Sequence, residues 1–328
     1  MLLVMGLLLV GSSVALAKSE PWIVALPGMD WAVAIKNPDF ELVNGDLRPD
    51  GLARGLSLIN AETNVRMVAV IEPAVSQGDN RVVRDYYWQA TEALGVEIVD
   101  VIYDEQEPFA ISEFFIPEAN GVVINSKHVN AYLVVDSFWV SIRMSKIYYE
   151  ERDRRLLNEL LSSLVLLRDH RQSPLDHLGF ASAFYLQGAL EMAIMYYEKA
   201  LNTTSNELPL TSSQWRVAVD NLGMSYGIIG DLANSKRVLE SGIEQDPTYP
   251  MFHYNLACTY AEMDDRSSAI VHLRQAFEYK ANMIAGEIMP NPREDASFYR
   301  YLSDPDFVTL LAELEKQPPI SKPEDPNR

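Results

Sequence analysis

The sequence predicts an α+β chain, with an antiparallel-sheet α/β sandwich in its first half and an all-α helical solenoid in its second. Three observations carry this prediction. Alternating, β-rich runs recur from Trp31 to Ile142 and close on a hairpin. The hexapeptides Asn221 to Tyr226 and Asn255 to Tyr260 match with an offset of 34 residues, a length that fits one stacked helix pair. Finally, 328 residues, 48% of them hydrophobic, exceed one ordinary domain and supply enough apolar side chains for two cores.

Residues 1–17 read as a signal peptide. Leu2 to Val10 are apolar except for Gly6, and the run continues to Ala15-Leu16-Ala17, which has the small-x-small shape of a cleavage site. Ahead of it, only the amino group of Met1 supplies positive charge. A membrane span needs roughly 20 apolar residues. Cleavage near Ala17 and export to the periplasm or beyond are therefore expected, with an uncleaved, membrane-anchored form as the alternative. Cys258 is the only cysteine, so no intramolecular disulfide can form and core burial must hold an exported chain together.

Residues 22–148 are assigned to the α+β domain. Trp31 to Ile35, Leu56 to Ile59 and Arg66 to Ile71 read as strands, Pro73 ends the third, and Asn60 to Asn64 connect the last two as a hairpin. Between Asn80 and Leu94 the pattern turns helical, with Val82, Val83, Tyr86, Tyr87, Ala90 and Leu94 at steps of three and four. Val96 to Tyr103 and Phe109 to Ile116 return to strand. Ala131 to Val135 and Phe138 to Ile142 then flank the two-residue turn Asp136-Ser137. Tyr149 to His170 is predicted as one linking helix, with Leu156, Leu157, Leu160, Leu161, Leu164 and Leu167 on one stripe. Hairpin strands with flanking helices make a layered α+β unit. The late hairpin, Ser145-Lys146 after it and the closing Leu160 to Leu164 resemble the Mog1/PsbP-like α/β/α fold.

The 34-residue offset continues beyond the matching hexapeptides. Gly230-Asp231 aligns with Asp264-Asp265, Ser235 with Ala269, Leu239 with Leu273, and Gly242 with Ala276. An earlier set, Phe180, Ala181, Phe184, Gly188, Ala193, Tyr197 and Ala200, precedes Leu222, Gly223, Tyr226, Gly230, Ser235, Leu239 and Gly242 by 42 residues. The additional residues are assigned to a polar loop, Asn202 to Ser213. Three pairs follow, 174–201, 216–249 and 250–282, about the minimum that buries a continuous core.

These positions resemble the tetratricopeptide-repeat (TPR) family. The resemblance implies that Leu222, Gly223 and Tyr226, with Leu256 and Tyr260 as counterparts, face the paired helix. Gly223 lets that helix approach, and Tyr226 fills the groove between the two. Gly188 and Gly230 end first helices. Ala193, Ser235 and Ala269, then Gly242 and Ala276, are small where second helices pack tightly, and Pro247 marks a stop. Residues 283–316 are assigned to capping helices, the last opened by Asp304 as N-cap and Pro305 at N1. Residues 317–328, with four prolines, are assigned to a disordered tail.

The resemblance also implies that the first helix of each pair lines a groove for an extended peptide. The candidates are Leu178 and Tyr185, then Asp220, Asn221 and Met224, then Tyr254, Asn255 and Cys258. Leu175, Ser182, Val217, Ile228, Met251 and Glu262 stand beside them. Members that clamp a C-terminal carboxylate place Lys, Arg and Asn at such positions. Here Asn221 and Asn255 stand without a Lys or Arg, so an apolar or main-chain-bonded peptide is the expected partner. The same asparagines also suit local backbone bonding, and Met224, Met251 and Cys258 suit packing.

Charge narrows the function further. The 27 basic and 46 acidic side chains give a net −19, of which 18–170 hold −10 and 171–328 hold −9. Neither half offers a basic surface to nucleic acid or to an anionic membrane. No Gly-x-Ser-x-Gly, His-Glu-x-x-His, phosphate loop or Gly-x-Gly-x-x-Gly occurs, so neither catalytic residues nor a cofactor or metal are assigned. His170 and His177, each after an aspartate, read as solvated pairs, and Ser145-Lys146 as strand neighbours on opposite faces. Asp264-Asp265 reads as a turn and N-cap, and Asn202-Thr203-Thr204 as a sequon in an exposed loop. The expected function is that of an exported, non-catalytic protein mediating protein–protein interaction or envelope complex assembly. The alternative makes the α+β half a ligand-binding or enzymatic domain that the repeats buttress.

Overall fold

The computed structural model describes residues 21–36, 39–202 and 209–316, and the chain divides between Gln172 and Ser173 into a sheet unit and a helical unit. The signal segment 1–17, the tail 317–328 and Thr203-Thr204 of the sequon lie outside the described residues.

The sheet unit opens with β1 (Trp22–Ala25), β2 (Trp31–Ile35), β3 (Glu41–Leu47), β4 (Arg54–Asn60) and β5 (Val65–Pro73). Helix α1 (Asn80–Glu92) follows, then β6 (Val99–Gln106), β7 (Phe109–Ala119), β8 (Val122–Val135) and β9 (Phe138–Lys146). Strands β3 to β9 form one antiparallel sheet in the order β3-β4-β5-β9-β8-β7-β6. The predicted turn is in place: Val135 pairs with Phe138, and Asp136 takes a φ of 53°, a left-handed conformation that Asp tolerates better than most residues.

Alternation sorts the sheet's side chains by face. Met67, Ala69 and Ile71, Val140, Ile142 and Met144, and Val129, Ala131 and Leu133 are all buried on one face. On the other face, Val83 of α1 packs on Tyr132 and Trp139. Asn80 ties this helix to the sheet where the ladder fails. Pro108 has no N–H to donate, and the Asn80 amide accepts from the Val134 N–H at 2.7 Å and donates to the Pro108 carbonyl at 2.6 Å.

The linking helix over 149–170 is corrected by the structure. A single 3₁₀ turn, Glu151–Asp153, leads into α2 (Arg154–Ser162), and β10 (Val165–Arg168) then pairs antiparallel with β2. β1 pairs along the other edge of β2, completing a three-stranded sheet. The Leu stripe is real as far as Leu161, and Leu157, Leu160 and Leu161 are buried, each worth about 2 kcal/mol. Ser163 ends it: its hydroxyl donates to the Leu160 carbonyl at 2.7 Å and diverts a group the helix would otherwise use. Leu166 and Leu167 keep their apolar character but serve a strand, because β2 has a free edge that a four-residue partner satisfies. The predicted strands also omit β1 and β3, and β6 begins three residues later than Val96.

The helical unit contains α3 (Pro174–Leu186) with α4 (Leu190–Leu201), α5 (Ser212–Ile228) with α6 (Leu232–Gln245), and α7 (Pro250–Glu262) with α8 (Arg266–Glu278). Four of these six starts carry a side-chain cap. Ser173 with Asp176 and Thr211 with Gln214 form reciprocal capping boxes, and Asp231 and Asp265 accept the N–H groups of Asn234 and Ser268. The Thr211 box starts α5 four residues before the predicted boundary and shortens the polar loop. After α8 comes a non-helical stretch with 3₁₀ turns at Lys280–Asn282 and Ala296–Tyr301, then α9 (Pro305–Leu314), capped by Asp304.

The 34-residue register continues into this end. Ser303, Phe307 and Leu310 follow Ala269, Leu273 and Ala276, so α9 takes the place of a fourth second helix. The expected capping helices reduce to this one. Pro290 and Pro292 fall where the partner first helix would run, and each would remove a helical hydrogen bond and clash with the preceding turn.

Candidate interaction face of the helical repeats

Two glycines set how closely the helix pairs stack. A Cβ on Gly223 would lie 2.7 Å from the Leu239 side chain, and one on Gly242 would meet Val219 at 2.9 Å and Phe252 at 3.0 Å. Leu222, Leu239, Leu256 and Leu273 are buried around them, as are Phe180, Phe184, Ala193, Tyr197, Tyr226, Ala269 and Ala276. Gly188 and Gly230 follow the ends of α3 and α5 with φ of 75° and 85°, and Asp264 follows α7 with 63°, the left-handed stop that helix ends favour. Pro247 follows α6, and its carbonyl lies 2.8 Å from Nε2 of His253.

Tyrosines then bond each pair to the one before it. Tyr226 donates to Glu198 at 2.6 Å, and Tyr260, at the same repeat position, donates to Glu240 at 3.1 Å.

The eight candidate groove residues lie on the first helices, and none is exposed. Leu178, Asp220, Tyr254 and Asn255 are buried; Tyr185, Asn221, Met224 and Cys258 are half-buried. The polar atoms among them are spent on neighbouring helices. Tyr185 donates to Met224 Sδ at 3.6 Å, Asn221 to the Tyr197 hydroxyl at 2.9 Å, and Asn255 to Asp220 Oδ1 at 2.6 Å. The two asparagines occupy equivalent positions but differ in partner. Leu239 stands where Tyr197 stood one pair earlier, so Asn255 turns to the carboxylate of Asp220 instead.

The last pair bonds to the proline-containing stretch that replaces a fourth first helix. Tyr254 and Cys258 both donate to Asp295 Oδ2, at 3.0 and 3.5 Å. Tyr249 donates to Glu287 at 2.7 Å, and Arg300 bonds Glu262 at 3.0 Å. Residues 287–300 therefore follow α7 from its N-cap to its last turn, with Met289, Pro292 and Phe298 buried. Sequence reasoning missed Glu287, Asp295 and Arg300. The signal that could have found them is the repeat register itself, which persists into α9 while prolines interrupt the helix expected before it.

Burial dominates the electrostatics. It pushes the Asp220 carboxyl up to about 7, with the Asn255 bond pulling the other way and Glu287 adding to the rise. Glu287 is also raised, first by burial. Burial, with the Asp295 carboxylate beside it, raises the Cys258 thiol well above its ordinary range, which leaves it poorly nucleophilic. Asp265 acts as the N-cap of α8, as the sequence predicts. Ser145 pairs with His128 and with Arg66, while neighbouring Lys146, whose side chain projects to the other face, reaches Asp153 at 3.6 Å. Among the described residues no three His, Cys, Asp or Glu side chains converge in a metal-sized group.

Comparison with known proteins places one segment. Residues 252–283 match the model of the tetratricopeptide repeat. No curated protein matches the chain. Among solved structures, the chain is similar to the crystal structure of YrrB, a TPR protein with an unusual peptide-binding site. That similarity has 18% identity over 39% of this chain and 58% of the other, with a TM-score of 0.30. The chain thus spans little more than half of that protein's length. It is also similar to the solution structure of cyanobacterial PsbP (CyanoP) from Synechocystis sp. PCC 6803, at 10% identity over 48% of this chain and 99% of that one, TM-score 0.33. A crystal structure from Bacteroides thetaiotaomicron VPI-5482 gives 7% identity over 63% and 76% of the two chains, TM-score 0.33. The match covers most of α7 and α8, in a chain whose earlier part is an antiparallel-sheet α+β unit.

Proposed function

We propose that this chain is an exported, non-catalytic protein that mediates protein–protein interaction in the assembly of an envelope complex, with the helical unit as its interaction module. The observation that carries the reading is a row of exposed apolar side chains at equivalent places in successive pairs. Leu186 and Ile228 are the last residues of α3 and α5, and Ile229 and Met263 cap α5 and α7; Leu186 is 61% and Met263 44% exposed. Single exposed apolar residues are ordinary on a protein surface, but recurrence in register along one edge marks a contact surface. Export rests on the apolar segment before Lys18.

The inner-helix polar groups are already bonded between pairs, so a bound polypeptide would be held by the apolar edge rather than by Asn221 and Asn255. The test is cross-linking of the full chain in the exported fraction of its native cells, comparing wild type with a variant carrying Ser at positions 186, 228, 229 and 263. Loss of specific cross-linked partners in the variant, with unchanged melting, supports the reading. An unchanged partner set, or a chain found only inside the cell, refutes it.

A further inference from the structure

We propose that His253 and His272 form a binding site for a divalent transition-metal ion of the zinc type, which joins α7 to α8, with Gln275 as its third protein ligand. The two histidines face each other across the third helix pair, Nδ1 to Nδ1 at 3.3 Å. Nε2 of His253 stands 2.8 Å from the Pro247 carbonyl, so it carries the ring proton and Nδ1 keeps its lone pair. A backbone carbonyl on the far nitrogen is the support that metal-bound imidazoles commonly have. Two imidazole nitrogens held by one zinc at about 2.0–2.1 Å and a tetrahedral angle stand about 3.3–3.4 Å apart. The separation here already has that value. In the metal-free chain His272 gives its Nδ1–H to His253. The ion takes the place of that proton, which His272 then carries on Nε2, and both rings tilt to aim their lone pairs at the metal.

Three further observations favour a ligand over a plain ring contact. Gln275 follows His272 by three residues on the same face of α8, and its Oε1 is buried with no hydrogen-bond partner. Among the described residues no third His, Cys, Asp or Glu joins the two rings, so this amide oxygen is the third protein donor. The ring planes are also held. Tyr260 stacks on His272 with centroids 5.4 Å apart and planes at 9°, and the Tyr279 ring lies 5.6 Å from that of His253. Finally, the packing does not require imidazoles here. The equivalent positions are Val219 and Val238 in the second pair, both buried, and His177 and Tyr196 in the first. Of the three pairs, only the third sets two ligating nitrogens face to face. Burial is the largest influence on both rings and disfavours their protonation, which leaves lone pairs for a metal; Gln275 and Glu278 favour positive charge at His253, and Glu240 favours it at His272. The nearby amine, Lys236, lies 3.7 Å from Glu240 and over the Tyr260 ring. Two imidazoles and an amide oxygen leave a fourth tetrahedral position to water, and neutral nitrogen donors select zinc or copper over magnesium or calcium.

The experiment is a titration of the full chain with zinc chloride in excess magnesium, which occupies exposed carboxylates, with the ring nitrogens of the five histidines followed by proton–nitrogen NMR. Saturation at one equivalent is expected, with the Nδ1 resonances of His253 and His272 shifting together while His128, His170 and His177 stay in place. Loss of even an outer partner of a metal ligand costs about 10–100-fold in affinity. His272→Phe, which keeps a ring against Tyr260, should therefore weaken zinc binding by at least about tenfold. Gln275→Leu should weaken it too, while both histidines still respond to zinc. Zinc should also raise the melting temperature of the helical transition in wild type and leave that of His272→Phe unchanged. Absence of saturable binding overturns the proposal, as does binding undiminished in His272→Phe; binding undiminished in Gln275→Leu overturns the place given to the amide. Should His272→Phe not fold, the wild-type spectra decide alone, and zinc that leaves His253 and His272 unshifted overturns the site.

Discussion

Replacing Gly242 by Ala tests whether close helix approach holds the repeats together. The new Cβ would sit 2.9 Å from Val219 Cγ1 and 3.0 and 3.1 Å from Phe252 Cε2 and Cδ2. Neither neighbour can easily give way. Val219 is a buried β-branched residue, and the fully buried Phe252 ring is wedged edge-on between Trp215 at 5.6 Å and Tyr249 at 4.8 Å. Overpacking of this kind costs about 1–3 kcal/mol, and two unyielding walls place it in the upper part of that range. Against this, Ala in a helix interior returns about 1 kcal/mol. The net expectation is a loss of about 1–2 kcal/mol, or roughly 3–7 °C in the melting temperature of a unit this size. Gly227→Ala is the control: the nearest atom to its Cβ is Ser235 Oγ at 3.5 Å, an ordinary contact. The propensity gain is then unopposed, and stability should rise by up to about 1 kcal/mol. Thermal unfolding followed by far-UV circular dichroism, with the helical transition fitted separately from the sheet unit, reads both. If Gly242→Ala melts at or above wild type, the steric reasoning for this seam is wrong.

Three further outcomes follow from named contacts. Tyr226→Phe removes a 2.6 Å bond to Glu198 and Tyr260→Phe a 3.1 Å bond to Glu240, so each should cost about 1 kcal/mol by urea denaturation, Tyr226 the more. Asn80→Ala strands the Val134 N–H and the Pro108 carbonyl together; a loss of about 2–3 kcal/mol confined to the sheet transition is expected. His253 is buried and its acidity is shifted downward, chiefly by burial. Its Nε2–H is given to the Pro247 carbonyl, so its Nδ1 accepts from His272 across 3.3 Å. Because the folded state resists protonation, its contribution is intact above the unfolded value near 6.5 and is lost as pH falls below it, by at most about 1.4 kcal/mol per unit. His253→Phe should flatten that acid limb in pH-dependent melting, and an unaltered limb would show that another group is responsible.

The legible parts of the fold were those whose signal is local. Asp136-Ser137 lies between two alternating runs, so the hairpin could be read from ten residues. Gly223, Gly242 and their counterparts recur because each repeat solves the same packing problem, and repetition raises a weak local signal above noise. What escaped depends on partners distant in sequence. The stripe through Leu164 and Leu167 suits helix and strand alike, and only the free edge of β2, more than a hundred residues away, decides for β10. β3 carries Asn44, Gly45 and Asp46, residues that disfavour strands, and is held there by pairing with β4. At the candidate site, the positions of Asn221 and Asn255 were visible in the sequence, but the side chains they bond, Tyr197 and Asp220, were not.

The difference between those two asparagines bears on how a partner could bind. A groove that grips an extended peptide must hold polar groups in reserve, since a donor already bonded inside the fold gains little by exchanging its partner. Asn221 is committed to Tyr197 and Asn255 to Asp220. The Tyr254 hydroxyl and the Cys258 thiol are committed to Asp295. A peptide seated on these positions would have to displace bonds of equal kind, and on α7 it would also have to displace the buried Met289, Pro292 and Phe298. Binding at the exposed ends of the inner helices carries no such cost, because Leu186, Ile228, Ile229 and Met263 now face water and gain by losing it. The alternative, entry onto α7, becomes favourable only where the 284–301 segment has already been released.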